Sequence, residues 1–341
     1  MRVLYVIPGS PEGSEFIFAK RQIGSMGAAG VTTRTFFLTS RTSLPFLVRA
    51  AFRLREEIRV FRPEIVHAQF GTVNGMLCVC AGASPLVVTF RGGDLNPTRE
   101  VSRIRSLVGR FFSQVAAVRA EAIICVTAKL QTRLWWRKGR SSVIPNGLDV
   151  SLFAPMPKAE ARTVLGWQAA DRVVLFNAGR SETAKRLDLA VAAVEHAKSS
   201  IRDLRLEVLR GNIPPEKIPM YLNAADCLLV TSDWEGSPNI VKEAMACNLP
   251  VVSVDVGDVV ERLAGVRPSR VAERSPGALA RCIGEVLQED RRSNGRDKIS
   301  PLSENLVAEQ ILAVYRQVIR RSQDVNVPRN QPSLSGPTRS R

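Results

Sequence analysis

Ser232-Asp233-Trp234-Glu235-Gly236-Ser237-Pro238-Asn239-Ile240-Val241-Lys242-Glu243-Ala244-Met245-Ala246-Cys247-Asn248-Leu249-Pro250-Val251-Val252 reads as loop, helix, turn and strand. Leu228-Leu229-Val230 before it is an apolar run of strand type, and Val251 to Val254 starts the next strand. Ser237 is placed to cap the helix, with Pro238 at the first helical position, where a missing N–H costs nothing. Asn239 and Glu243 lie four apart and so share one helix face. A loop that follows a strand and opens into a helix offers free backbone N–H groups and a favourable dipole, which suits an anion. With Glu235 before the turn and Glu243 inside the helix, the segment suits a ligand that carries both phosphate and hydroxyls.

The same alternation extends outward in both directions. Arg2 to Ile7, Val31 to Leu38, Pro63 to His67, Leu86 to Phe90, Ala122 to Val126 and Ser142 to Ile144 read as strands. Between them lie helical patterns at Phe16–Met26, Phe46–Phe61, from Val73, Val101–Val118 and Ala128–Arg137. The pattern restarts at Arg172 with a strand, a helix over Lys185–Ser199 and a strand at Leu204–Leu209. Two successive runs of strand, helix, strand predict two doubly wound parallel-sheet domains, 1–150 and 151–321. The second domain is read as including a final helix over 303–321. Residues 322–341 are polar and rich in proline and arginine, the composition of a disordered tail.

Composition narrows the class. The chain has 341 residues, 45% of them hydrophobic, enough for two cores. No secretory signal or bilayer-spanning run is apparent, and the six cysteines lack metal-ligand spacing, which together predict a cytoplasmic protein with reduced thiols. The net charge of +16 is uneven: residues 1–150 hold 21 Lys and Arg against 9 Asp and Glu, and the remainder 27 against 23. The first domain therefore expects an anionic partner: acidic lipid, a phosphate-bearing acceptor or nucleic acid. Nucleic acid is disfavoured, because neither a helix-turn-helix nor aromatic-basic interleaving is present.

Ligands of paired doubly wound domains bind where the C-terminal strand ends face each other. Besides the segment above, three stretches fall there. Pro8 to Ser14 contains Gly13, in a turn that either lets backbone approach phosphate or merely joins strand to helix. Ala178 to Arg186 carries Arg180 and Lys185, two cations able to neutralise a diphosphate, or simply a solvated basic loop. His67 and Arg91 each follow a strand; a buried structural histidine and an Arg91–Asp94 pair are the plainer alternatives.

Together these motifs resemble the retaining GT-B glycosyltransferases of glycosyltransferase family 4. Glu235-x7-Glu243 in its full setting resembles that family's donor-binding motif. Val143-Ile144-Pro145-Asn146-Gly147-Leu148-Asp149 resembles its interdomain strand and linker, Gly179-Arg180 with Lys185 its donor-phosphate motif, and Pro63 to His67 the segment before its cleft. The resemblance implies two Rossmann-like domains facing across a cleft and a nucleotide-diphosphate sugar as donor, with no metal or other cofactor. The basic excess of residues 1–150 in turn suggests attachment of this cytoplasmic protein to an anionic membrane, and so a lipid-linked, polysaccharide or other glycan acceptor. By the same resemblance Glu243 holds ribose hydroxyls, and Glu235 with Gly236, Ser237, Pro238 and Asn239 holds the transferred sugar and the diphosphate. Arg180 and Lys185 stabilise the leaving phosphates, Gly13 lies near them, and Glu235, His67 and Arg91 form the catalytic set. Two departures stand out. Arg91 occupies a place where the family often has histidine, and arginine cannot act as a base. Between Leu209 and Pro219 there is no room for the extra strand and helix usual in such donor domains. A nucleotide-sugar epimerase, a phosphorylase and a non-catalytic sugar-nucleotide binder share these features and are separated by their products.

Overall fold

Apolar runs four to eight residues long become strands buried on both faces, as parallel sheets covered by helices require. The computed structural model describes residues 1–13, 15–97, 101–179, 181–211 and 213–326. In the first domain β1 (Arg2–Pro8), β2 (Thr32–Leu38), β3 (Ile65–Gln69), β4 (Leu86–Phe90), β5 (Ala122–Cys125) and β6 (Ser141–Val143) form a sheet of order β2-β1-β3-β4-β5-β6. In the second, β7 (Arg172–Gly179), β8 (Leu204–Arg210), β9 (Cys227–Val230), β10 (Val251–Val254) and β11 (Arg270–Ala272) are ordered β11-β10-β9-β7-β8. Every named pairing is parallel; His67 lies between Tyr5 of β1 and Val87 of β4, in the middle of the first sheet. Both sheets are doubly wound, as the alternation predicted. β11 and the helix Pro276–Glu289 complete the second domain beyond the pattern read from sequence. That helix starts with Ser275 Oγ accepting from the Ala278 N–H at 3.3 Å and with Pro276 in its first turn.

Several local expectations are corrected. The helix expected over Ala128–Arg137 stops at Gln131. The one expected from Lys185 breaks at Arg186, whose φ of 59° is left-handed, so a short turn Glu182–Lys185 precedes the helix Leu187–Lys198. Five of the six cysteines are buried, but Cys80 is exposed. The last helix runs Glu304–Asn326, past the predicted stop at 321, and it packs against the first domain's sheet. Val307, Ile311, Tyr315 and Val318 share one core with Val3, Tyr5 and Ile7 of β1. The amphipathic stripe was legible, but it named no partner, and the first sheet had the uncovered face. Residues 327–341, most of the expected tail, lie outside the described residues.

The chain thus crosses between domains twice, and the crossings pair. The Leu148 N–H donates to Leu302 O at 2.8 Å and the Glu304 N–H to Leu148 O at 3.0 Å. Gly147 is needed here, because a β-carbon on it would sit 2.9 Å from Glu304 Cα.

The second domain carries its own buried ionic anchor. Asp226, just before β9, accepts from the Val173 N–H at 2.6 Å and from Arg162 Nη2 at 2.9 Å, and also meets Lys158. Both the Asp226 and Arg162 side chains are about 5% exposed or less. Removing one partner of such a pair strands the other charge. Asp226→Ala is expected to destabilise the second domain by about 3–5 kcal/mol. A urea midpoint for this domain within error of wild type would contradict that.

Candidate active site in the interdomain cleft

The C-terminal ends of both sheets face a cleft of about 810 Å³. Its second-domain wall holds Lys185, Glu235, Gly236, Ser237, Pro238, Asn239 and Glu243; Arg91 lines the opposite wall. Eight of the residues singled out in the sequence therefore meet in one place. Gly13 and His67 are not among the lining residues, and Arg180 lies outside the described residues.

Lys185 ends the short turn after β7, and Thr231 Oγ1, at the end of β9, donates to its carbonyl at 2.8 Å. Its ammonium reaches Glu235 Oε1, which also accepts from Ser232 Oγ at 2.9 Å. The pair sits at the cleft surface, with side chains 29% and 14% exposed. Beyond it the helix Asn239–Ala246 starts, and its cap is not the expected one. Pro238 occupies the cap position, while Ser237 Oγ donates to Asp258 Oδ2 at 2.9 Å. The hydroxyl finds a buried carboxylate across the fold instead of the helix's own N–H groups.

Asn239 and Glu243 do share the cleft-facing side. Burial pushes the Glu243 carboxyl up to about 7, against the pull of Arg21 and Lys242. Lys242, 1% exposed, is pushed down to about 7 by burial, with Asp258 opposing. Its ammonium donates to the Asn146 carbonyl at 3.2 Å.

Arg91 spends its guanidinium on protein acceptors. Nε donates to Gln69 Oε1 at 3.0 Å and Nη2 to Gln22 Oε1 at 2.5 Å, Nη1 meets Asn146 Oδ1, and the group lies 4.8 Å from the Phe18 ring centre. The Arg91–Asp94 side-chain pair weighed from sequence does not form. Asp94 instead accepts from the backbone N–H groups of Gly92 at 2.8 Å, Arg91 at 3.1 Å and Gly71 at 3.3 Å, stitching the loops after β3 and β4 together. Asn146 joins the domains: its side chain takes Arg91 on one side and donates to Asn239 Oδ1 at 3.2 Å on the other.

His67 is corrected from catalytic to structural. It is fully buried, with Nδ1 2.5 Å from Tyr315 Oη and Nε2 2.7 Å from Thr89 Oγ1, and Tyr315 in turn meets Tyr5 Oη at 2.9 Å. Burial and the nearby Arg91 charge push its pKa down to about 3, so it stays neutral and sealed under the last helix. Gly13 is likewise engaged: its N–H donates to Ser10 Oγ at 3.2 Å and its carbonyl takes Lys20. That amide is not turned to the cleft. Arg21 and Asn146 were missed as site residues, and Asp94 was read only as a partner for Arg91. Arg21 sits mid-helix with no local signal; Asn146 was visible only as part of the linker. Among the described residues no three His, Cys, Asp or Glu side chains converge as a metal's donor set would need.

Two doubly wound domains closing on a cleft that gathers cations, paired carboxylates and a helix start define the GT-B class. Comparison with known proteins agrees. The family model described as "Glycosyltransferase Family 4" matches residues 2–152 and that described as "Glycosyl transferases group 1" matches residues 169–289. The chain belongs to these glycosyltransferase families. It is 28% identical over 241 residues to the "Putative teichuronic acid biosynthesis glycosyltransferase TuaC" of Bacillus subtilis, covering 65% of this chain and 60% of that one. It is 29% identical over 214 residues to the D-inositol 3-phosphate glycosyltransferase of Segniliparus rotundus, covering 52% and 47%. The aligned parts thus span less than two thirds of these relatives. Sucrose-phosphate synthase from Thermosynechococcus elongatus superposes with a TM-score of 0.78 at 18% identity, over 94% of this chain and 99% of that one. Anabaena Alr3699/HepE in complex with UDP-glucose superposes with 0.66 at 18%, over 95% and 100%. These two likenesses carry the fold.

Proposed function

We propose that this chain is a retaining, metal-independent glycosyltransferase. It moves a sugar from a nucleotide-diphosphate sugar to a glycan or lipid-linked acceptor in cell-surface glycan synthesis, working at the cytoplasmic face of the plasma membrane. The observation that carries the reading is the meeting of Lys185, Glu235 and Glu243 around one helix start in the interdomain cleft. Breaking a glycosidic C–O bond puts charge on the leaving diphosphate, and a preorganised cation beside backbone N–H groups is worth most at that point. Lys185 takes the diphosphate, with Arg180 assigned beside it by the family resemblance. Glu243 accepts ribose hydroxyls, and Glu235 with the 236–239 backbone holds the sugar. Arg91, held by Gln22, Gln69 and Asn146, acts as a positioning residue that fixes the linker against the first-domain wall. Metal independence and retention follow the family resemblance; Lys185 supplies local positive charge that a metal would otherwise bring.

The test is a panel of nucleotide sugars that includes UDP-glucose, bound in a structure of similar fold, and GDP-mannose, named for a relative. The bound donor raises the unfolding midpoint by mass action. If none of the panel shifts it, the donor assignment fails. The response should also depend on pH. Below about 7 the Glu243 carboxyl holds its proton and is a poorer acceptor for two hydroxyls; above it the carboxylate accepts both. Donor affinity is therefore expected to rise between about pH 6 and 8, where the donor's own diphosphate keeps a constant charge. Glu243→Gln should bind weakly and flatten the profile. An unchanged slope in that variant would move the titration to another group, Lys242 first.

A further inference from the structure

The helix Leu44–Phe61 sets Leu44, Val48 and Phe52 four apart on one stripe, and they stand 72%, 50% and 69% exposed. The helix Arg103–Arg119 carries a similar stripe, spaced three and four, with Ile104, Leu107 and Phe111 at 75%, 57% and 55% exposed. Where helix was expected beyond Gln131, the chain instead presents Trp135 and Trp136, 58% and 55% exposed, with rings edge to face at 5.6 Å. Gln114 fixes them in place: its Nε2 donates to Arg133 O and its Oε1 accepts from the Trp135 N–H, both at 3.0 Å. Gln114, one helical turn past Phe111 and itself 3% exposed, thus ties the indole loop to the same helix that carries the second stripe. Single exposed apolar residues need no explanation, but a run of this extent does.

The charge around it points one way. Residues 101–141 contain nine Lys and Arg and a single acid, Glu121. Arg49, Arg53 and Arg55 flank the stripe on the other helix, and its two acids, Glu56 and Glu57, are paired with Arg59 and Arg34. Two copies of this chain cannot pair through such a face without opposing like charges. Exposed tryptophans beside arginines match the interfacial zone of an anionic bilayer, where the rings sit at headgroup depth and the cations meet lipid phosphates.

We propose that the helices Leu44–Phe61 and Arg103–Arg119, together with the Trp135–Trp136 loop, form a docking face for an anionic lipid bilayer. The same two helices supply Leu47, Arg105 and Val108 to the rim of the cleft, beside Arg41. Docking therefore turns the first-domain end of the cleft to the lipid surface, where a lipid-linked acceptor would present its phosphate to Arg41 and Arg105. That last step rests on the glycosyl-transfer reading; the docking face does not.

The experiment is co-sedimentation of the full chain with vesicles of phosphatidylcholine alone or mixed with phosphatidylglycerol, with no donor or acceptor present. Binding is expected only to the anionic vesicles and is expected to weaken with salt, as screening at about 8 Å in physiological buffer requires. Trp135→Ser with Trp136→Ser should lower the partition about tenfold or more. Ile104→Ser with Phe111→Ser is the second variant, and unchanged circular dichroism shows that each is folded. Equal binding to neutral vesicles, or full binding by both folded variants, overturns the proposal. So does a dimer seen by light scattering that the tryptophan variant abolishes, because the face then belongs to a second copy. Vesicle binding without any donor-dependent midpoint shift would leave this face standing and defeat the catalytic reading alone.

Discussion

Gly236→Ala is expected to cut transfer about a hundredfold while leaving both domains folded. A β-carbon on Gly236 would fall on the carbonyl oxygen of Arg91, 2.8 Å from the carbonyl carbon and 3.2 Å from Gly92 Cα. From the other sides, a β-carbon on Gly92 would lie 2.9 Å from Gly236 N, and one on Gly257 2.5 Å from Gly236 O. Three backbone segments from two domains touch here without side chains between them. Each domain can fold around an alanine, because the clash lies between domains and not inside one core. The added methyl must instead displace the loop after β4 from the Glu235–Asn239 segment. A displacement of about 1 Å between groups that must align for reaction is enough for a loss of that size. The measurement is kcat with a good donor, beside the thermal midpoint of the protein without donor. Wild-type kcat in a folded Gly236→Ala protein would mean that this closed contact is not the reacting geometry.

Lys185→Ala is expected to lower kcat by about 10²–10³-fold, the loss seen when one preorganised donor to developing charge is removed. The effect should fall on kcat more than on the dissociation constant of the free nucleoside, because the ammonium gains most when the diphosphate leaves. Structure gives a second reason to choose this residue. Lys185 already has a partner, Glu235, on the same wall, so its position is set before any ligand arrives. Losing it also leaves the Glu235 carboxylate, among the described residues, with Ser232 as its remaining side-chain partner, in a side chain only 14% exposed. Lys185→Arg should restore part of the rate, because it keeps the charge but changes its geometry. If Lys185→Ala transfers sugar at the wild-type rate, the diphosphate is held elsewhere and the roles drawn around Glu235 must be redrawn. If it loses rate but keeps a pH-dependent midpoint shift with donor, Glu243 and Lys185 act on different parts of the ligand, as proposed.

The sequence by itself determined the two parallel sheets, because a strand buried on both faces must be an apolar run and the connecting helices must repeat at 3.6 residues. It also determined the second-domain wall. Lys185, Glu235, Asn239 and Glu243 are local to two strand-to-helix junctions, and short chain distances fix where such residues point. Everything that depends on long-range packing had to wait for the tertiary structure. The stripe of the helix Glu304–Asn326 shows that one face is buried, but not that the face covers the first sheet. Without that knowledge His67 at a strand end looks open, whereas Tyr315 and Thr89 close it. Ser237 reads as a cap until Asp258, which is 21 residues away, competes for its hydroxyl. Arg91 reads as a cleft cation until Gln22, Gln69 and Asn146 claim its N–H groups. Periodicity records whether a side chain is buried; the identity of its partner is set by which surfaces meet, and only the folded chain decides that.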